Sequence, residues 1–129
     1  MILEDKYKCT PKQEWVVAAG GSEHRPTSSC YDYDKDNNNI IVVKINDIEP
    51  LRRYPDTEGL QRDRTINIIK GMVSGDFIPP ICVEEITAFP SVYKYKLRDG
   101  YHRFYLSRHF KYTMIPVLVL PPQIDIFSI

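Results

Sequence analysis

The sequence predicts an α+β domain, α/β-like in its alternation, with a mixed sheet and a few packed helices. Three observations predict it. Apolar segments alternate between strand-like and helical spacing, in the order strand, helix, strand, strand, helix, strand. Gly-Asp and Pro-Pro pairs punctuate the junctions between them. The chain has 129 residues, 43% of them hydrophobic, enough to bury one respectable core.

Residues 1–39 read as an irregular N-terminal extension with short strands at most, 40–122 as the domain proper, and 123–129 as an apolar tail. Within the extension, Glu14 to Ala19 has the β-branched character of a short strand, closed by Gly20-Gly21-Ser22. Asp32 to Asn39 is polar and turn-rich, the composition of a solvated hairpin tip. Its alternating acids lack the Gly and terminal Glu that an EF-hand needs. Ile40 to Ile45 is β-branched and bounded by turn residues, a strand. A helix is expected to start near Asp56 or Thr57, with Asp56 as N-cap. Leu60, Ile66, Ile69, Met72 and Val73 give it one apolar face, and Gly75-Asp76 ends it.

Pro79-Pro80 forces an extended entry into a strand over Ile81 to Ile86. Phe89-Pro90-Ser91 makes a turn. Val92 to Leu97 alternates apolar or aromatic residues with lysines, a half-exposed strand. The helix from about Tyr101 to Phe110 buries residues among Phe104, Tyr105, Leu106 and Phe110, and Met114 to Leu120 is a final apolar strand.

Composition excludes some functions. Seventeen basic and seventeen acidic residues cancel, so no general positive field recruits nucleic acid. A basic stripe of Arg98, Arg103, Arg108 and Lys111, interleaved with tyrosines, leaves nucleic acid open as a partner but does not favour it. The apolar run Ile115 to Leu120 is too short to span a bilayer, and the charged start is unlike a signal peptide. The expected location is cytoplasmic, with no membrane partner. Cys9, Cys30 and Cys82 fit free thiols better than a disulfide framework, and with His24 they match no metal-site spacing. Phe127 and Ile129 in the tail offer a surface for a homodimer.

The chemistry-bearing stretch is Leu97-Arg98-Asp99-Gly100-Tyr101-His102-Arg103, where a strand turns into a helix. A helix N-terminus exposes N–H groups without intrahelical acceptors and carries partial positive charge, so phosphate is a natural guest. Backbone from Gly100 through Tyr101 to Arg103 would hold its oxygens, and Arg103 adds a forked, charge-assisted contact. His102 can donate a hydrogen bond or serve as a general acid, and Asp99 can activate a hydroxyl or water or hold Mg²⁺. Bland readings stand beside these. Asp99 can be only the N-cap, His102 a partly buried polar residue, and Arg103 the partner of Glu49 or Asp47. Arg53, in the pair Arg52-Arg53, either guides phosphate or is a solvated surface residue.

These residues and their order resemble the ParB/sulfiredoxin superfamily over about residues 40–120. The resemblance runs through Val42-Val43-Lys44-Ile45, Ile48-Glu49-Pro50, the proline-led Ile78-Pro79-Pro80-Ile81-Cys82-Val83, the Asp-Gly-x-His-Arg turn and Ile115-Pro116-Val117. Sulfiredoxins carry a catalytic Cys before His-Arg; here that position is Tyr101, which argues against sulfinic-acid reduction. Chromosome-partitioning ParB proteins carry Arg-Arg there, followed by a helix-turn-helix domain; His102-Arg103 leaves site-specific DNA binding unsupported. The turn looks more like the free-serine kinase branch and other small nucleotide-using members. That likeness implies Asp99 as a base or metal-site group, a phosphate-cradling His102-Arg103, a contribution from Glu49, and ATP, ADP or another nucleotide with Mg²⁺. The expected function is therefore nucleotide or phosphate binding with phosphotransfer or phosphodiester-cleaving chemistry, and the expected ligand a nucleotide or phosphorylated small molecule. A non-catalytic interaction module and a DNA-acting nuclease are the alternatives.

Overall fold

The computed structural model describes residues 10–50, 59–87 and 91–121. Along the chain run α1 (Gln13–Ala18), β1 (Ile41–Lys44), a 3₁₀ turn (Ile45–Asp47), β2 (Ile48–Glu49), α2 (Arg62–Ser74), β3 (Ile81–Glu85), β4 (Tyr95–Asp99), α3 (Tyr101–His109) and β5 (Met114–Leu120). The five strands among the described residues form one mixed sheet in the order β1-β5-β3-β4-β2. β5 runs antiparallel to β1 and parallel to β3, β3 antiparallel to β4, and β4 parallel to β2. The expected α+β class, a mixed sheet with few helices, is the observed one.

One face of the sheet carries the core. Ile81, Val83, Leu97, Ile115 and Val117 are completely buried there. α3 packs on β3, α2 on α3, and α1 on α2. The first three buried side chains of α3 are Phe104, Tyr105 and Leu106, and α2 buries Thr65, Ile66, Ile69 and Met72. Val73, expected on the apolar face of α2, is exposed instead. Among the described residues no helix is long and apolar enough to cross a membrane.

The extension is not strand-like where strands were expected. Gln13–Ala18 is a short helix, and Val16 with Ala19, one turn apart, is buried in the core. Burial against α2 outweighs the β-branched pair Val16-Val17. The acidic loop is held by local turns, Asp36 N–H donating to Asp34 Oδ1 at 3.0 Å and Asn39 N–H to Asn37 Oδ1 at 3.0 Å, and it does not cap a hairpin. Its preceding segment pairs instead with the β3 entry, where Ile78 N–H donates to Asp32 O at 2.8 Å. β4 begins three residues later than the expected Val92. α2 begins at Arg62 with Gln61 as N-cap. Asp56, Thr57, Arg52 and Arg53, the turn Phe89-Pro90 and the tail from 122 onward lie outside the described residues, so the expectations that rest on them do too.

Candidate functional site

The β4–α3 turn is built around one glycine. Gly100 is the N-cap of α3, with φ 103° and ψ 34°, and it is buried. A Cβ built there would lie 2.6 Å from Ile81 Cγ2, 2.9 Å from Ile81 Cβ and 3.2 Å from Ile81 Cα. The position therefore needs glycine twice, for its left-handed backbone and for the approach of β3. This also moves Asp99 out of the N-cap role: it is the last residue of β4, opposite Cys82, and the N-cap, Gly100, makes no side-chain capping bond. The ladder slips between Cys82 and Val83, so Arg98 is the extra residue of a bulge just before the turn. Arg98 pairs with Glu84 at 3.2 Å.

Arg103 sits in the first turn of α3 and reaches back to the β3 entry. Its Nη1 donates to Pro80 O at 2.7 Å, and its Nη2 lies 3.8 Å from Asp99 Oδ2. The partners expected from sequence, Glu49 and Asp47, are not the ones it takes; Asp47 faces Lys94 at 3.9 Å. The Asp99 side chain is 76% exposed and that of Arg103 only 20%, so the carboxylate stands at the solvent end of a guanidinium anchored from within. The neighbouring carbonyl, Pro79 O, accepts a bond from Tyr31 Oη at 2.6 Å. Burial pushes the Tyr31 hydroxyl far above the ordinary phenol range, against the opposing pull of the Arg103 charge. Tyr31 was not singled out in the sequence, where nothing local ties it to a proline 48 residues away.

His102 joins two helices. Its Nε2 accepts a hydrogen bond of 2.8 Å from the backbone N–H of Gln61, the N-cap of α2. Accepting there places the ring proton on Nδ1. The bond brings the positive ends of the α2 and α3 dipoles together. Beside it, a cavity of about 500 Å³ opens at the start of α2, with Lys12, Trp15, Gly59, Gln61 and Arg62 in its wall. Tyr101 is half-buried, stacked obliquely on Tyr105 at 4.8 Å and edge-on to His102 at 5.9 Å.

Glu49 is on β2, level with Lys96 of β4. Asp99 is three positions further along that strand, about 10 Å at the usual strand rise. The structure thus clusters Asp99, Gly100, Tyr101, His102 and Arg103, with Gln61, Pro80 and Tyr31 as supports, and sets Glu49 apart. Among the described residues no group of three or more His, Cys, Asp or Glu side chains is arranged to hold a metal ion. The chain matches no protein-family model and no curated protein.

Proposed function

We propose that this chain binds a phosphate-bearing ligand, a nucleotide or a phosphorylated small molecule, at the β4–α3 turn. The observation that carries the reading is the His102–Gln61 bond, which joins the N-termini of α2 and α3, next along the chain to the anchored Arg103. The N-terminus of α3 carries the anchored Arg103 cation and is held to the N-terminus of α2 through His102, a setting that favours an anion. The resemblance to ParB/sulfiredoxin domains, carried by the Asp-Gly-x-His-Arg turn, supports the same reading.

The chemistry follows from who is anchored. Arg103 keeps Nη1 on Pro80 O, which fixes the guanidinium plane while Nη2 points toward Asp99. An incoming phosphate oxygen competes with the exposed Asp99 carboxylate for Nη2. Displaced from that loose 3.8 Å contact, Asp99 becomes available to accept a proton from an attacking hydroxyl or water. Mg²⁺ fits this turn only as an ion carried largely by phosphate oxygens and water, with Asp99 as its protein contact, which is its usual habit. His102, with Nε2 engaged, acts here as a positioning residue that sets α3 against α2.

The same two bonds support a second reading. His102 and Arg103 both hold backbone groups of the protein itself, as members of a structural clamp do. The turn is then the scaffold of a non-catalytic interaction module. Calorimetric titration with ATP and ADP, with and without Mg²⁺, separates the two. Charge-assisted contacts contribute about 1.5–3 kcal/mol each, so Arg103→Ala should weaken nucleotide binding about tenfold or more. A melting curve on the same variant checks that it folds. If no nucleotide or phosphate ester binds the wild-type chain or raises its melting temperature, the interaction module is the better account.

A further inference from the structure

The far end of α3, about 14 Å from the turn by helix rise, holds a different feature. A cavity of about 270 Å³ lies between α1, the turn that follows it and the C-terminal end of α3. Into its wall come His24 and Arg25 from the turn after α1, and His109 and Lys111 from the end of α3, with Gln13 and Ser22 as neutral donors. Among the described lining residues there is no carboxylate.

The walls are fixed. Gly21 packs so closely on α2 that a Cβ there would meet Ile69 Cγ2 at 2.6 Å. His24 N–H donates to Gly21 O at 3.1 Å, and His24 Nε2 lies 3.2 Å from Tyr112 Oη. The His24 and His109 rings both meet Phe110 edge-on, at 5.2 and 4.9 Å.

The residue that decides the matter is Lys111. The three α-helices among the described residues end in the same Schellman arrangement. In α1, Gly20 N–H and Gly21 N–H return to Val17 O and Val16 O; in α2, Gly75 and Asp76 return to Met72 O and Gly71 O; in α3, Lys111 and Tyr112 return to Arg108 O and Ser107 O. The first residue of each pair is left-handed, at φ 75°, 73° and 66°. Two of the three are glycine, as the conformation prefers, and the third is lysine. Lys111 is the non-glycine residue with positive φ among the described residues. Its charge is not needed to satisfy the helix end, because backbone amides already take those carbonyls. A strained lysine at the mouth of a cavity lined by other bases calls for a chemical reason.

We propose that this cavity is a binding site for a small multivalent oxyanion, a phosphate monoester or a polycarboxylate, held by Arg25 and Lys111 and contacted by His24 and His109. Its size, just below the usual range of about 300–1,000 Å³ for small-molecule pockets, suits a compact ligand. Burial, and for His24 the Arg25 charge, lower both histidines from their ordinary value. A bound anion supplies the opposite charge and favours their protonated, doubly donating form.

The test is a titration of the full chain with inorganic phosphate and with citrate. It is followed by the ring signals of all three histidines and the amide of residue 111 in NMR spectra. Saturable shifts at His24, His109 and Lys111 are expected. Lys111→Gly keeps the left-handed turn and should raise the melting temperature, yet weaken anion binding about tenfold, as the loss of one charge-assisted contact does. Lys111→Arg should retain the binding. An affinity unchanged in Lys111→Gly overturns the proposal. So do shifts that never saturate, or shifts confined to His102; the last would count for the β4–α3 turn and against this cavity.

Discussion

Gly100→Ala is the sharpest perturbation of the candidate turn. Two costs add. An L-residue in the left-handed region loses roughly 1–2 kcal/mol, and φ 103° lies beyond the centre of that region. The new methyl also meets Ile81 at 2.6 Å through Cγ2, 2.9 Å through Cβ and 3.2 Å through backbone Cα. Overpacking of this kind costs about 1–3 kcal/mol. Ile81 cannot yield, because it is completely buried and paired with Val117 of β5. The expected loss is therefore about 2–5 kcal/mol, a large part of the roughly 5–15 kcal/mol that holds a domain together. For a chain of this size each kcal/mol moves the melting temperature by about 4 °C, so a fall of about 8–20 °C should appear in a thermal scan. Ile81→Ala removes the Cγ2 contact but leaves Cβ and Cα in place. In a double-mutant cycle the second change should recover part of the Gly100→Ala loss and never all of it. A fall of less than about 2 °C in Gly100→Ala would refute the claim that this close approach positions the turn.

The remaining predictions are simpler. Thr65 Oγ1 and Ser107 Oγ are buried without a hydrogen-bond partner among the described residues, so Thr65→Val and Ser107→Ala should each stabilise by about 1 kcal/mol, read as a higher urea midpoint. Arg103→Ala loses the anchored bond to Pro80 O and should cost about 1.5 kcal/mol, whereas Asp99→Asn, at an exposed and long contact, should stay within about 0.5 kcal/mol; equal losses in thermal melts would mean the ion pair, not the carbonyl, holds the guanidinium. For His24 and His109 the folded value lies below 6.5, so the unfolded chain binds more protons as the pH falls. Their contribution is fully present above about pH 6.5 and is lost on acidification through the lowered folded values. Urea midpoints should fall between about pH 7 and pH 5, and a flat profile there would contradict the lowered values of both rings.

The fold was legible where a signal was local and long. β5 has the predicted bounds Met114–Leu120, and α3 starts at Tyr101 as expected. The end of α2 at Gly75 follows from a glycine whose left-handed conformation is observed, at φ 73°. Elements made by distant partners were not legible. β2 is two residues that exist as a strand through parallel pairing with β4. The N-cap at Gln61 has its amide taken by His102, 41 residues away. α1 is helical where its β-branched pair favours a strand, because α2 supplies the surface that buries Val16 and Ala19. The same division holds at the candidate site. Gly100 could be read from the chain, since a strand-to-helix turn demands it. That Asp99 precedes the cap instead of forming it depends on the closeness of Ile81, which no local pattern encodes.

The two ends of α3 pose one backbone problem and answer it oppositely. Both place a residue at positive φ next to a wall of the fold. At Gly100 that wall is β3 itself, and even a methyl would lie within 3 Å of Ile81. The choice of residue there is steric, and function at the turn has to come from its neighbours: Asp99, His102 and Arg103. At Lys111 the side chain lines an open cavity, so sterics permit a residue that backbone preference does not. Stability alone would select glycine there, as at Gly20 and Gly75. A long cationic side chain in its place, lining the same cavity as Arg25, the half-buried His24 and the exposed His109 with no carboxylate among the described lining residues, is accounted for by an anionic partner supplied from solution.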